Sequence, residues 1–227
     1  MKEKFKTLKD VFDLYTEKNL FHMMGQGHFE GLESPIGVGK EANTFSALRK
    51  GKRVLVKIYR LQTCDFNRMF DNLRTDPRFD GLKKKQRKVV FAWAKREASN
   101  LAKLGKVGLH VPKLIAHRDN IVVMEFIGDE GPAPQVITQK PKHPKAFLEK
   151  LIKQMKAMHE AGLVHGDLSP FNLLNWDENP YIIDLSQATP FRNPHAEELL
   201  ERDVRVMATF FTKIGVKITP GELKAKV

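Results

Sequence analysis

The chain has 227 residues, 41% of them hydrophobic and 29% charged, so it can bury a core and is too apolar for wholesale disorder. Its one cysteine, Cys64, excludes a disulfide framework and any multi-cysteine metal site and fits a reducing compartment. Lysine and arginine number 39 against 27 acidic residues, a formal net charge of +12 that favours polyanionic surroundings such as nucleic acid, nucleotide or ribosome.

The N-terminal residues carry no apolar signal core. The longest strongly apolar run, residues 121–127, contains Glu125 and falls far short of the roughly 20 residues a membrane span needs. A cytoplasmic protein with no membrane partner is expected, with a monomer favoured.

In chain order, Thr7 is a candidate N-cap for a helix carrying Leu8, Val11, Phe12 and Tyr15. A second short helix, about 18–24, ends at Gly25 and Gly27. Residues 34–45 form a glycine-containing turn between two strands. Residues 53–60 alternate, with Val54, Val56 and Ile58 on one face and Leu55, Lys57 and Tyr59 on the other. Residues 62–88 read as irregular, polar and mobile, ending in the basic run 83–88. Four aromatic and apolar side chains there, Phe66, Met69, Phe70 and Phe79, argue for partial docking as a helix.

A helix is expected at 89–104, then strands at 114–116 and 121–126. A Pro/Gly-rich linker, 128–144, follows. Phe147, Leu148, Leu151, Ile152, Met155 and Met158 mark the next helix, which Gly162 stops. Short strands at 163–164, 173–174 and 181–183 precede a last helix at 195–213. The fold class is therefore α+β, in two lobes. An N-terminal helical extension occupies 1–33, a sheet-bearing lobe 34–127, a hinge 128–144 and a mainly helical lobe 145–227. A ligand cleft belongs between the lobes.

The strongest chemical signal is His165-Gly-Asp167-Leu-Ser-Pro-Phe-Asn172, followed by Tyr181-Ile-Ile-Asp184. Phosphoryl transfer needs a hard divalent cation with oxygen ligands and a carboxylate to orient or deprotonate the acceptor. Asp167 and Asn172 have the spacing of a catalytic loop H-x-D-x-x-x-x-N, and Asp184 follows a hydrophobic strand, where a metal-binding aspartate belongs. Singly, each is more simply a turn former. It is the ordered set that carries specificity.

Lys57 lies mid-strand, and Glu97 shares the apolar helix stripe of Val90, Ala94, Leu101 and Leu104. A lone strand lysine usually snorkels to water, and a stripe can simply fray. A carboxylate on a buried face, however, requires a cationic partner, and Lys57 is the obvious one. Gly37-Val-Gly39-Lys40-Glu41-Ala42 is a weak phosphate-loop signal and could be an ordinary hairpin turn. It is not a Walker A loop: Ser34 stands where the first glycine should be, and neither Ser nor Thr follows Lys40. The eight histidines are scattered, so a zinc site is unsupported.

The order of these features resembles the protein-kinase-like fold, and their detail resembles the RIO family of atypical serine/threonine kinases. Gly39-Lys-Glu-Ala-Asn43 is similar to that family's loop and Val56-Lys-Ile-Tyr59 to its strand. Phe91-Ala-Trp93, Met124-Glu-Phe-Ile-Gly128, Pro132-Ala-Pro134, Ile183-Asp-Leu-Ser-Gln-Ala188 and Glu201-Arg-Asp203 are similar too. The likeness is nearest the branch without an N-terminal winged helix, since only 33 residues precede Ser34. Gly166 and Pro170 depart from that branch's more usual Ala and Glu.

This resemblance implies ATP and magnesium, with manganese as an alternative. It implies that Gly37, Gly39 and Lys40 cover the phosphates, that Lys57 contacts the α- and β-phosphates, and that Glu97 orients it. Met124 and the backbone of Glu125 and Ile127 would hold adenine. Asp167 would accept the proton, with Asn172 and Asp184 as metal ligands. Asp184 would also be able to take the phosphoryl group, giving ATPase activity through an aspartyl-phosphate. The partner implied is the small ribosomal subunit or its rRNA, during subunit maturation.

Only 43 residues follow Asp184, too few for an activation segment plus peptide-presenting helices, so a truncated kinase fold is expected. Two alternatives stand beside this reading. One is a small-molecule kinase of the aminoglycoside or choline type, which shares the His-Gly-Asp loop but has a larger acceptor-binding region and lacks the Gly-Lys-Glu-Ala turn. The other is a basic ribosome-binding module using ATP as a switch. Against loss of catalysis, Lys57, Glu97, Asp167, Asn172 and Asp184 are all intact.

Overall fold

The structure, a computed structural model, describes residues 12–227. The Asp13 carboxylate accepts the N–H groups of Tyr15 and Thr16 and so caps α1 (Leu14–Gly25). Tyr15, expected on a separate first helix, belongs to this one. The Thr7 cap, Leu8 and Val11 lie outside the described residues.

Five strands form an antiparallel sheet: β1 (Leu32–Val38), β2 (Ala42–Arg49), β3 (Lys52–Tyr59), β4 (Leu114–Arg118) and β5 (Ile121–Glu125). Their spatial order is β1-β2-β3-β5-β4, so β3 is central. Period-two alternation gives β3 two different faces. Val54, Val56 and Ile58 pack with Leu20, Met23 and Phe29 under α1. Leu55 and Tyr59 pack into the main core on the other face, and Lys57 enters the cleft on that side.

The expectation of an irregular segment at 62–88 fails, while the docking as a partial helix that Phe66, Met69, Phe70 and Phe79 argued for is what forms. Residues 66–74 form α2 (Phe66–Arg74), capped by Asp65, and Pro77–Phe79 form a 3-10 turn capped by Asp76. Met69 and Leu73 are fully buried, while Phe66, Phe70 and Phe79 are partly buried against the same core. Each buried side chain contributes roughly 1.5–3 kcal/mol, which outweighs the polar composition that suggested a loop. α3 (Gln86–Lys106) starts three residues earlier than the sequence implied. Its stripe of Val90, Ala94, Glu97, Leu101 and Leu104 is buried throughout.

Residues 128–144 are not a free linker. The Val136 N–H donates to the Leu173 carbonyl at 2.9 Å, the Asn175 N–H donates to the Pro134 carbonyl at 2.8 Å, and Val136 is fully buried. The second half contains α4 (Pro144–Glu160), the hairpin β7–β8 (Leu173–Trp176, Asn179–Ile182), the short pair β6–β9 (Leu163–Val164, Thr189–Pro190) and α5 (Ala196–Lys213). Phe147 of α4 meets Phe211 of α5 with ring centroids 6.4 Å apart. The five-residue α6 (Pro220–Lys224) was not foreseen. It forms because Thr219 and Glu222 make a reciprocal capping box and Lys224 reaches Glu197 and Glu201 on α5. Between Asp184 and α5 there is room only for β9 and a turn, so the described residues hold no activation segment.

Candidate active site

A cleft of about 820 Å³ opens where β1–β3 and β5 face the loops that lead into β7 and out of β8. It is lined by every residue to which the resemblance assigns a role: Gly37, Gly39, Lys40, Lys57, Glu97, Met124, Glu125, Ile127, Asp167, Asn172 and Asp184. Its volume lies in the range of small-molecule and cofactor sites.

The roof is the β1–β2 turn. The Gly39 N–H donates to the Ala42 carbonyl at 2.9 Å. A Cβ at Gly39 would lie 3.0 Å from that same oxygen, so a side chain there would force the turn open. The back wall is Met124, buried on β5. Glu125 N–H is bonded to the Lys113 carbonyl and the Ile127 carbonyl receives Ala133 N–H, which fixes the backbone at the hinge edge.

Lys57 Nζ donates to Glu97 Oε1 at 2.7 Å and to Asp184 Oδ1 at 2.9 Å. The Tyr59 hydroxyl donates to the other Glu97 oxygen at 2.6 Å. Burial alone would depress the Lys57 ammonium; the carboxylates of Asp184 and Glu97 outweigh it and hold Lys57 well above the ordinary lysine value. Burial pushes the Glu97 carboxyl up, and Lys57 only partly offsets that. Asp184 goes the other way. Burial would raise it, but the Lys57 charge prevails and brings it down to about 2. Asp184 sits in the left-handed region at φ 56°, and both of its hydrogen bonds, from Lys57 and from Ser186, fall on Oδ1. Among the described residues nothing donates to Oδ2.

The opposite wall is the 165–172 loop. His165 Nδ1 accepts the Asp167 N–H at 3.2 Å, so its proton resides on Nε2, 3.1 Å from the Ile183 carbonyl. Gly166 adopts φ +76°, and a Cβ there would come within 3.3 Å of the Gln187 carbonyl. Asp203 on α5 accepts both the Gly166 and Leu168 N–H groups at 2.8 Å. Burial raises its carboxyl to about 6. Asp167 receives Gln187 Nε2 on Oδ2 at 2.9 Å and Arg202 on Oδ1. Asn172 Nδ2 donates to the Asp167 carbonyl at 2.9 Å, which fixes the amide and leaves its Oδ1 as an open acceptor.

The loop carrying Asp184 is pinned from behind. Arg96 Nε donates to the Ser186 carbonyl at 2.5 Å, and Asn100 Nδ2 to the Leu185 and Ala188 carbonyls. Arg78, from the segment expected to be irregular, donates to the Ala188 carbonyl at 3.0 Å and to Asp76. Asn172 Oδ1 and the Asp184 carboxylate are hard oxygen donors and suit magnesium, which takes few protein ligands and completes its shell with phosphate and water. Among the described residues no three His, Cys, Asp or Glu side chains cluster as an all-protein metal cage.

A lysine–glutamate pair beside one aspartate, set across a glycine-roofed cleft from an H-x-D-x-x-x-x-N loop, defines a kinase-like phosphotransferase. The RIO domain family model matches residues 43–223. The RIO-type serine/threonine-protein kinase Rio1 of Haloferax volcanii is 40% identical over 215 residues, covering 94% of this chain and 74% of that protein. The Rio1 kinase of Methanocaldococcus jannaschii is 37% identical over 214 residues, covering 93% and 73%. A crystal structure of the Rio2 kinase–ADP/Mg2+–phosphoaspartate complex from Chaetomium thermophilum superposes with a TM-score of 0.71 at 26% identity, over 91% of this chain and 63% of that one. The chain belongs to the RIO family of serine/threonine kinases. This removes the aminoglycoside-type alternative.

Several participants escaped the sequence reading. Arg68 lines the cleft but falls in the segment read as irregular. Gln187, Ser186, Asp203 and Arg202 were visible only as parts of motifs. Their roles depend on which loop α5 packs against, and periodicity along α5 does not reveal that. No helix among the described residues is long and apolar enough to cross a membrane.

Proposed function

We propose that this chain is an ATP-dependent kinase and ATPase whose chemistry runs between Asp184 and Asp167. The observation that carries this reading is Lys57 Nζ bridging Glu97 and Asp184 in the same cleft as Asp167. Lys57 moves its charge to the α- and β-phosphates, and Glu97 with Tyr59 holds it there. Met124, Glu125 and Ile127 receive adenine, and the turn of Gly37, Gly39 and Lys40 covers the phosphates. Asn172 and Asp184 hold magnesium, which when bound neutralises phosphate oxygens; manganese fits the same oxygens.

Asp184 Oδ2 attacks the γ-phosphorus, the bond to the bridging oxygen breaks, and ADP departs, leaving an aspartyl-phosphate. Asp167 takes a proton from water, whose oxygen attacks phosphorus as the bond from phosphorus to Asp184 Oδ2 breaks, releasing phosphate and restoring the Asp184 carboxylate; a serine or threonine hydroxyl is the alternative acceptor. The phosphoaspartate named in the Chaetomium thermophilum complex supports this route. The test is incubation with γ-labelled ATP and magnesium, followed by hydroxylamine. Label released by hydroxylamine and absent from Asp184→Asn supports the acyl-phosphate. Label that is hydroxylamine-stable and retained in Asp184→Asn sinks it.

The partner proposed is the small ribosomal subunit or its rRNA, in the cytoplasm, met by a monomer. Residues 83–88 supply five exposed positive charges. Lys84 lies 5.7 Å from the Phe66 ring centroid and 5.5 Å from that of Phe70, while Arg87 lies over Tyr15. These aromatic faces hold the cations as a patch instead of leaving them to wave in solvent.

A further inference from the structure

The catalytic loop sets no cation of its own against the Asp167 carboxylate. Its residues, from His165 to Asn172, include neither lysine nor arginine, and both His165 ring nitrogens are engaged with backbone groups, the Asp167 N–H and the Ile183 carbonyl. Lys57 is committed to Glu97 and Asp184 on the other wall. The charge beside Asp167 comes instead from α5. Two successive residues of that helix address the loop: Asp203 takes its backbone N–H groups, and Arg202 crosses to the Asp167 carboxylate.

Arg202 is 44% exposed and Asp167 30% exposed, and an ion pair this open stabilises a fold little. Its geometry is nevertheless specific. Arg202 lands on Oδ1 and Gln187 on Oδ2, so one donor on each oxygen fixes the plane of the carboxylate. Each oxygen keeps a second lone pair for an incoming proton. The guanidinium, with five donors, has others to offer an anionic group arriving from solvent.

We infer that Arg202 is the positioning residue for the acceptor side of the reaction: it sets the Asp167 carboxylate and supplies the cation the catalytic loop lacks. This rests on Asp167 acting as the proton acceptor. Arg202 acts after nucleotide is bound, so its loss separates kcat from the KM for ATP. A misaimed base of this kind costs on the order of 10²-fold in rate.

The experiment measures magnesium-dependent release of labelled phosphate from Arg202→Ala, Arg202→Lys, Asp167→Asn and the double variant Arg202→Ala/Asp167→Asn. Arg202→Ala is expected to lose about 10²-fold in kcat with its KM for ATP and its melting temperature held. Arg202→Lys should recover part of that loss, and added guanidinium should recover activity in Arg202→Ala but not in Asp167→Asn. In the Asp167→Asn background, Arg202→Ala should cost nothing further, because the two residues act as one unit. An inactive Asp167→Asn with a fully active Arg202→Ala overturns this inference alone. The same is true of an Arg202→Ala loss that is equally large in both backgrounds. A fully active Asp167→Asn overturns the reading of Asp167, and this inference with it.

Discussion

The two walls of the cleft each pair a cation with an aspartate, but in different surroundings. On the sheet side, Lys57, Glu97 and Tyr59 are buried together and Asp184 is drawn into their field. On the helical side, Arg202 and Asp167 meet at the open rim. A buried pair is expensive to break because the surviving charge has no water to turn to; an exposed pair is not. The sheet-side pair is therefore expected to serve both stability and chemistry, and the rim pair chemistry with little effect on stability.

Removing Lys57 should break this contrast hardest. Lys57→Ala strands the Glu97 carboxylate and is expected to cost on the order of 3–5 kcal/mol in urea unfolding. It should also cut turnover by about 10²–10³-fold or more, as should Asp184→Ala. Either variant turning over like wild type would remove the kinase chemistry from this cleft.

Asp167→Asn should lower turnover by about 10²–10⁴-fold while ATP binding, followed by a fluorescent nucleotide, stays near wild type. Loss of nucleotide binding would place Asp167 on the wrong side of the reaction.

Asp203 sharpens the comparison by pH. Its carboxyl is raised to about 6 by burial, against an ordinary value of 3.8. Between those values the folded protein keeps a proton that the unfolded chain has released, so stability falls as pH rises through the window and levels above it. Asp203→Asn should remove that slope in denaturation series across the window. It should also slow turnover on the order of 10–10²-fold, because an amide oxygen and an NH₂ cannot accept both the Gly166 and Leu168 N–H groups. An unchanged slope would show that another group titrates.

The smallest effect at the cleft is expected from replacing Lys83, Lys84, Lys85, Arg87 and Lys88 with glutamine. ATP binding should hold, while affinity for small subunits weakens and its salt dependence flattens by nearly one unit per lost phosphate contact. Unchanged affinity across a salt titration would return the run to the status of a solvated face.

Much of this was legible in the sequence, for identifiable reasons. β3 and α3 announce themselves because alternation and the helical stripe each report one buried face, and the intrusion of Lys57 and Glu97 into those faces pointed to their pairing. Residues 66–79 were read as irregular because, over a long window, many polar neighbours outweigh two buried anchors, Met69 and Leu73, and three partly buried ones, Phe66, Phe70 and Phe79. Met69 and Leu73 are spaced at i and i+4, and that spacing was the available signal. Arg202 and Gln187 remained out of reach because their partner, Asp167, is 35 and 20 residues away in sequence.

Residues 62–88 have the composition of an insert that protein engineers would trim first. The buried polar contacts behind the cleft say otherwise. Asp76 is fully buried with Arg78 on it, Arg78 also donates to Asn100 and to the Ala188 carbonyl, and Arg96 reaches both the Asn72 and Ser186 carbonyls. The segment is a keystone set behind the loop that carries Asp184. It cannot be exchanged between relatives as a cassette unless its partners Arg96 and Asn100 on α3 travel with it.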